Sequence, residues 1–105
     1  MIKTKVNAGV CGFTTEIEAS SEDFQHVSFN IKTDCKNIEE LAKNIPVVDA
    51  YQEIRQGFDG ELLTLTRKMQ KSNCAGCAVP CAIFKSMQAA ANLALPKNVS
   101  IEISK

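Results

Sequence analysis

Three short runs near the start of the chain alternate strictly between apolar and polar residues. They are "IKTKVNA" at residues 2–8, "FTTEIEA" at residues 13–19 and "HVSFNIK" at residues 26–32. A period of two residues is typical of strands with one buried face. Pairing the first two runs around "GVCG" places Lys5 opposite Glu16, and the apolar faces match in the same register. The sequence therefore predicts a three-stranded antiparallel meander.

The rest of the chain shows helical spacing followed by one more alternating run. Capping and apolar periodicity predict four helices, which begin at Asn37 and Asp49 and cover residues 61–71 and about 80–94. "NVSIEIS", residues 98–104, then predicts a closing strand. We expect a single α+β domain over residues 1–105, in which the helices pack on one face of the sheet.

Charge and hydropathy exclude several classes of partner. Twelve basic and twelve acidic residues cancel, which argues against nucleic-acid binding. No apolar run approaches the roughly 18 residues of a membrane span, and the N-terminus lacks the apolar core of a signal peptide. We therefore expect a cytoplasmic protein without a membrane partner. In a reducing compartment its five cysteines are not expected to form a disulfide framework.

Three of the cysteines, Cys74, Cys77 and Cys81, lie within eight positions in "NCAGCAVPC". The C-x-x-C spacing of the first two allows a tight turn to present two sulfur atoms to one metal ion. Cys81 falls near the predicted start of the last helix, where the helix dipole favours a thiolate. Thiolates bind zinc, copper(I) and iron–sulfur clusters well, so this segment predicts a metal or cluster site.

The other two cysteines are brought to one end of the sheet by the order of the strands. Cys11 lies in the turn after the first strand, and Cys35 follows the third strand, which returns toward that turn. A four-thiolate site at this end would then have five candidate ligands. We expect the three clustered cysteines to bind first, with Cys11 or Cys35 as the fourth ligand. Read singly, Cys11 and Cys35 also fit the role of small buried apolar residues.

Two other functions fit the same cysteines. Cys74 and Cys77 could form a thiol–disulfide redox pair, although such a pair normally lies at the start of a helix. Alternatively, a structural zinc ion could hold an interaction module together. His26 is the only histidine, and its outward strand position argues against a Cys–His nucleophile pair. No catalytic residue is predicted, and we do not expect an enzyme in its own right.

Three segments carry a resemblance to a known family. "NAGVCGFTTEIEA", "VSFNIKTDCKNIEELA" and "SNCAGCAVPCAIFKSMQAAANLA" resemble the IscU/NifU-like iron–sulfur cluster scaffold proteins, including the SufU branch, in topology and cysteine placement. The resemblance implies that Cys11 is the first ligand, Cys35 the second, and one of the three clustered cysteines the third. It implies a scaffold or carrier with protein partners in cluster or electron transfer, and an iron–sulfur cluster or, alternatively, zinc as cofactor.

The chain departs from that family at three places. Phe13 stands where the family usually has the aspartate of "Cys-Gly-Asp", and the third cysteine position is expanded to three cysteines. The predicted closing strand is not part of the usual pattern and instead resembles the end of the NifU C-terminal domain. These differences do not affect the expectation that the protein binds a cluster or metal. They argue against transient transfer of the cluster.

Overall fold

The fold begins with the antiparallel meander that the alternating runs predict. In the computed structural model, which describes residues 1–105, the strands are β1 (Ile2–Asn7), β2 (Thr14–Ser20) and β3 (His26–Thr33). Lys5 lies opposite Glu16 as predicted. The register is set by the apolar face, since Ile17 is buried while the neighbouring Glu16 stays exposed.

A fourth strand and four helices complete the structure. Strand β4 (Val48–Asp49) pairs antiparallel with β3, so the sheet order is β1-β2-β3-β4. The helices are α1 (Lys36–Asn44), α2 (Ala50–Gln56), α3 (Glu61–Met69) and α4 (Val79–Ala90), with 3-10 turns at Gly57–Asp59 and Ser72–Gly76. The chain is thus an α+β fold with a four-stranded antiparallel sheet.

The closing strand predicted at residues 98–104 is not formed. Residues 95–105 have no regular secondary structure, and the fourth strand of the sheet is β4 instead. The apolar side chains of the segment are exposed, at 58% for Val99, 72% for Ile101 and 92% for Ile103. The alternating pattern describes a strand that needs a neighbour, and this chain provides none at that place.

The core joins the apolar face of the meander to the helices. Ser86 of α4 donates its single hydroxyl proton to the carbonyl of Ala82 at 2.7 Å, so the 2.7 Å contact with Thr4 must be donated by the Thr4 hydroxyl. This bridge ties α4 to β1 across almost the whole chain. The buried apolar residues form one cluster: Val6, Ile17, Ala19, Val27, Ile38, Leu41, Val48, Ala50, Leu62, Val79, Ile83, Met87 and Ala91.

The start of α2 is stabilised by a carboxylate. Asp49 accepts hydrogen bonds from the backbone N–H groups of Tyr51 (3.0 Å) and Gln52 (3.2 Å), which confirms the predicted cap of α2. A side-chain hydrogen bond from Gln25, followed by these N–H groups, holds the pKa of Asp49 below its usual value.

None of the helices combines the length and the apolarity needed to cross a membrane.

Candidate thiol site

Cys11 lies at the tip of the turn that joins β1 to β2. The Gly12 N–H donates to the Gly9 carbonyl at 2.9 Å, and both glycines have positive φ angles, +89° for Gly9 and +76° for Gly12. Only glycine adopts that region readily, which explains why two glycines bracket the turn. Cys11 is exposed there, at the end of the sheet to which β3 returns.

Cys35 occupies the position immediately before α1. Its N–H donates to the Thr33 hydroxyl at 3.1 Å, and its carbonyl accepts the N–H of Glu39 at 2.9 Å. Its side chain makes no capping hydrogen bond. The prediction that Asn37 caps this helix is therefore wrong, because the helix already begins at Lys36. The sulfur atom of Cys35 remains available for another contact.

The C-x-x-C segment forms a tight turn before α4. The Cys77 N–H donates to the Cys74 carbonyl at 3.1 Å, which closes the turn. The sulfur of Cys77 accepts a hydrogen bond from the backbone N–H of Val79 at 3.5 Å. Hydrogen bonds to sulfur stabilise a thiolate and tune the metal it holds.

An unpredicted residue connects this turn to α1. The side-chain amide of Asn37 donates to Sγ of Cys74 at 3.5 Å. Sequence periodicity gave no signal for this contact, since Asn37 matches a helix cap equally well. The contact places the C-x-x-C turn beside the start of α1, where Cys35 also lies.

The segments that carry Cys11, Cys35, Cys74 and Cys77 lie toward the same end of the sheet. Burial raises the pKa of the Cys77 thiol, while the Val79 N–H opposes this effect, and the neighbouring thiols of Cys11, Cys35 and Cys74 raise the pKa further. The Asn37–Cys74 contact places the C-x-x-C turn beside the start of α1, at the end of the sheet that also carries the first turn.

Cys81 is placed differently from the other four. It lies in the first turn of α4 and is exposed, on the side opposite the buried Val79. It is not among the thiols that raise the pKa of Cys77. The expectation that Cys81 is one of the first three ligands stays a prediction.

The thiols do not form a ready-made ligand set. All five cysteines are free, and no three cysteine, histidine or acidic side chains are arranged as a group that could hold a metal ion. Cysteine has a single side-chain torsion with staggered alternatives, so its sulfur can move without backbone change. His26 begins β3, at the other end of that strand from Cys35, and contacts Asp23 at 2.7 Å.

Comparison with known proteins gives the chain a family and no function. The model of a family of unknown function, DUF6951, matches residues 2–103. The chain belongs to that family. The matched range includes all five cysteines and most of the segment after α4. No curated protein and no solved structure gives a significant match.

Proposed function

We propose that the protein binds an iron–sulfur cluster, or alternatively a zinc ion, through the thiolates of Cys11, Cys35, Cys74 and Cys77. The observation that supports this proposal is the Asn37–Cys74 contact, which places the C-x-x-C turn beside the start of α1, where Cys35 lies, at the end of the sheet that carries the Cys11 turn. Four sulfur donors are the usual ligand set of iron–sulfur clusters and of structural zinc. The donor chemistry therefore fits both groups.

The surroundings of the thiols support ligand roles. The Asn37 amide and the Val79 N–H each donate to a sulfur, at 3.5 Å in both cases, which favours the ionised form that binds metal. Cys77 has a raised pKa, so its proton must leave when a metal binds, and affinity should fall as the pH is lowered. The positive charge of a bound metal offsets the repulsion between the four thiolates.

The role that we propose is that of a scaffold or carrier. The resemblance to the IscU/NifU/SufU-like proteins supports it, with Cys11 and Cys35 in the first two ligand roles. We assign the remaining roles to Cys74 and Cys77 and leave Cys81 outside the site, because it lies on the side of α4 opposite the buried Val79 and is not among the thiols that raise the pKa of Cys77. The second thiol of the C-x-x-C turn compensates for the aspartate that Phe13 replaces.

A thiol–disulfide redox function is less well supported. A redox pair of this spacing normally lies at the start of a helix. Both Cys74 and Cys77 precede α4, which begins at Val79. A structural zinc site would use the same four thiols, and it differs from a carrier in one property: removal of its zinc would unfold the protein.

The experiment is preparation without oxygen, followed by a visible absorption spectrum and by analysis of iron, sulfide and zinc. We expect stoichiometric iron and sulfide, or one zinc per chain. Cys77→Ser should reduce the bound metal strongly, while Cys81→Ser should retain it, which makes the two variants a matched pair. Metal-free protein whose stability is unchanged by chelators would contradict the proposal. Equal loss in both variants would contradict the assignment of Cys81.

A further inference from the structure

Strand β1 leaves one edge of the sheet open. In the sheet order β1-β2-β3-β4 its only neighbour is β2. The Ala8 N–H donates to the Phe13 carbonyl at 3.1 Å, in the register of the β1–β2 pairs. Backbone hydrogen bonds alternate in direction along an antiparallel pair. The N–H and C=O groups of Lys3, Lys5 and Asn7 therefore point to the open edge, where a further strand could pair.

The segment after α4 has the sequence of a strand but no partner. Residues 98–104, "NVSIEIS", place Val99, Ile101 and Ile103 on one side and serines and Glu102 on the other. These three apolar side chains are between 58% and 92% exposed. A β-branched face of this kind is stabilised when it packs on a sheet. Left in water, it forms an exposed apolar surface that marks an interaction site.

The end of α4 keeps this segment away from the sheet of its own chain. Leu93 N–H donates to the Gln88 carbonyl at 2.8 Å, and Asn92 has a φ of +60°. This is the Schellman type of helix ending, which fixes the direction in which the chain leaves. Every residue from 92 to 105 is exposed. The segment therefore extends as an arm, and the molecule measures 42 Å along its longest axis against 27 and 23 Å.

We propose that residues 98–104 of one copy pair with the open β1 edge of a second copy, and that the exchange is reciprocal. Such a pairing closes a two-fold dimer, the commonest form of homo-oligomer. The lengths fit, because β1 has six residues and the arm offers the seven residues of "NVSIEIS". In the dimer, the open edge of β1 and residues 98–104 are both paired.

The charges of the two strands are complementary. Any register that places Ile101 and Ile103 beside the apolar face of β1 puts Glu102 on the face that carries Lys3 and Lys5. Lysines on an edge strand discourage pairing with unrelated strands. A glutamate at the centre of the arm offsets this repulsion. The arm therefore meets the specific charge requirement of this edge.

The test is sedimentation of the full chain at several concentrations. We expect a dimer for the wild type, a monomer with an unchanged circular dichroism spectrum for Ile101→Asp, and a dimer for Leu95→Asp. Leu95 is 76% exposed and lies outside the proposed strand, so its substitution adds the same charge without affecting the pairing. A wild-type monomer, or a dimer that survives Ile101→Asp, would overturn the proposal.

Two further measurements identify the edge. Glu102→Lys should weaken the dimer several-fold, and adding Lys3→Gln and Lys5→Gln, which place no like charge opposite Glu18 and Glu16, should recover part of the loss; an unchanged dissociation constant for Glu102→Lys would rule out β1 as the acceptor. Hydrogen exchange should show protection of the Lys3 and Lys5 amides in the dimer. Protection of these amides in a monomer would mean that the arm folds onto its own β1, which would overturn the exchange between copies.

Discussion

The side-chain amide of Asn37 donates a hydrogen bond to Sγ of Cys74 over 3.5 Å, joining the first turn of α1 to the C-x-x-C turn. The two residues are 37 positions apart in the chain. Because Cys35 immediately precedes α1, this one contact fixes the position of the C-x-x-C thiols relative to a third cysteine. The bond also orients the Cys74 sulfur, as partners of metal ligands commonly do.

We expect Asn37→Ala to weaken metal binding while the fold persists. Loss of a hydrogen bond to a ligand typically costs about 10- to 100-fold in metal affinity. The measurement is competition for zinc with a chromophoric chelator. Asn44→Ala is the control, since Asn44 lies at the other end of α1 and its amide donates to the Glu40 carbonyl. Equal affinity losses in the two variants would assign the effect to the helix and not to the Cys74 contact.

The cysteines should differ in their rates of alkylation. The thiolate is the reactive form, and Cys77 is partly buried with a raised pKa. We therefore expect Cys77 to react more slowly than the exposed Cys11 and Cys81 with iodoacetamide in metal-free protein. Mass spectrometry of the labelled peptides measures each rate. A Cys77 rate equal to that of Cys81 would contradict this account of its surroundings.

Bound metal should make the two exposed cysteines, Cys11 and Cys81, differ in their rates of alkylation. If Cys11 is a ligand, zinc should protect it strongly from alkylation, while Cys81 should keep its metal-free rate. The comparison is internally controlled, because both thiols are exposed in the same molecule. Protection of Cys81 together with free reaction of Cys11 would reverse the ligand assignment.

Glu53 is a buried carboxylate that stabilises the start of α3. It is 2% exposed and accepts the backbone N–H of Leu62 at 2.7 Å and of Glu61 at 3.2 Å. We expect Glu53→Ala to lower the free energy of unfolding by about 1–3 kcal/mol, because these N–H groups lose their acceptor inside the protein. Glu53→Gln should cost less, since its amide oxygen can still accept.

Urea denaturation at a single pH measures these changes. Gln52→Ala, a substitution at an exposed position of the same helix, should stay within about 0.5 kcal/mol of the wild type. The carboxylate also lies 3.0 Å from where a Cβ at Gly60 would stand. A side chain at position 60 would therefore press on this carboxylate and require it to shift. An unchanged stability of Glu53→Ala would show that water replaces the carboxylate at no cost.

The Asp23–His26 pair should make part of the stability depend on pH. The hydrogen bond between Nδ1 of His26 and Oδ2 of Asp23, 2.7 Å long, raises the pKa of His26 above its ordinary value of 6.5. Hydrogen bonds from the His26 side chain and from backbone N–H groups lower the pKa of Asp23 well below its usual range. The raised pKa of His26 adds to the free energy of unfolding, fully below pH 6.5. This stabilisation is lost as the pH rises through the pKa that His26 has in the folded state.

The aspartate acts in the opposite direction. The lowered pKa of Asp23 adds to the free energy of unfolding above the ordinary pKa of 3.8. This stabilisation is lost as the pH falls through the pKa that Asp23 has in the folded state. The pair therefore stabilises the protein most between 3.8 and 6.5. Because His26 is the only histidine, its imidazole resonance can be titrated by NMR without assignment. We expect Asp23→Asn to lower the pKa of His26 toward 6.5 while the Oδ1 contacts to the backbone persist. An unaltered titration would contradict the pairing.

The local patterns of the sequence determined the meander and much of the helical part. Alternation predicted three strands, and the opposed charges and apolar faces of the first two predicted their register, as in the pairing of Lys5 with Glu16. Asp49 was correctly predicted as a cap because the signal lies within three residues. Cys35 replaced Asn37 at the start of α1 because capping preferences shift easily by a residue or two. Strand β4, with two residues, is too short to produce a periodic signal.

The sequence by itself determined the spacing of the five cysteines along the chain. The order of the strands predicted that Cys11 and Cys35 share one end of the sheet. Only the tertiary structure decided that the Asn37 amide contacts Cys74 and that Cys81 lies on the exposed side of α4. Tertiary structure likewise decided that "NVSIEIS" is exposed. Alternation records the tendency to form a strand, and whether a strand forms depends on a neighbour that local sequence does not specify.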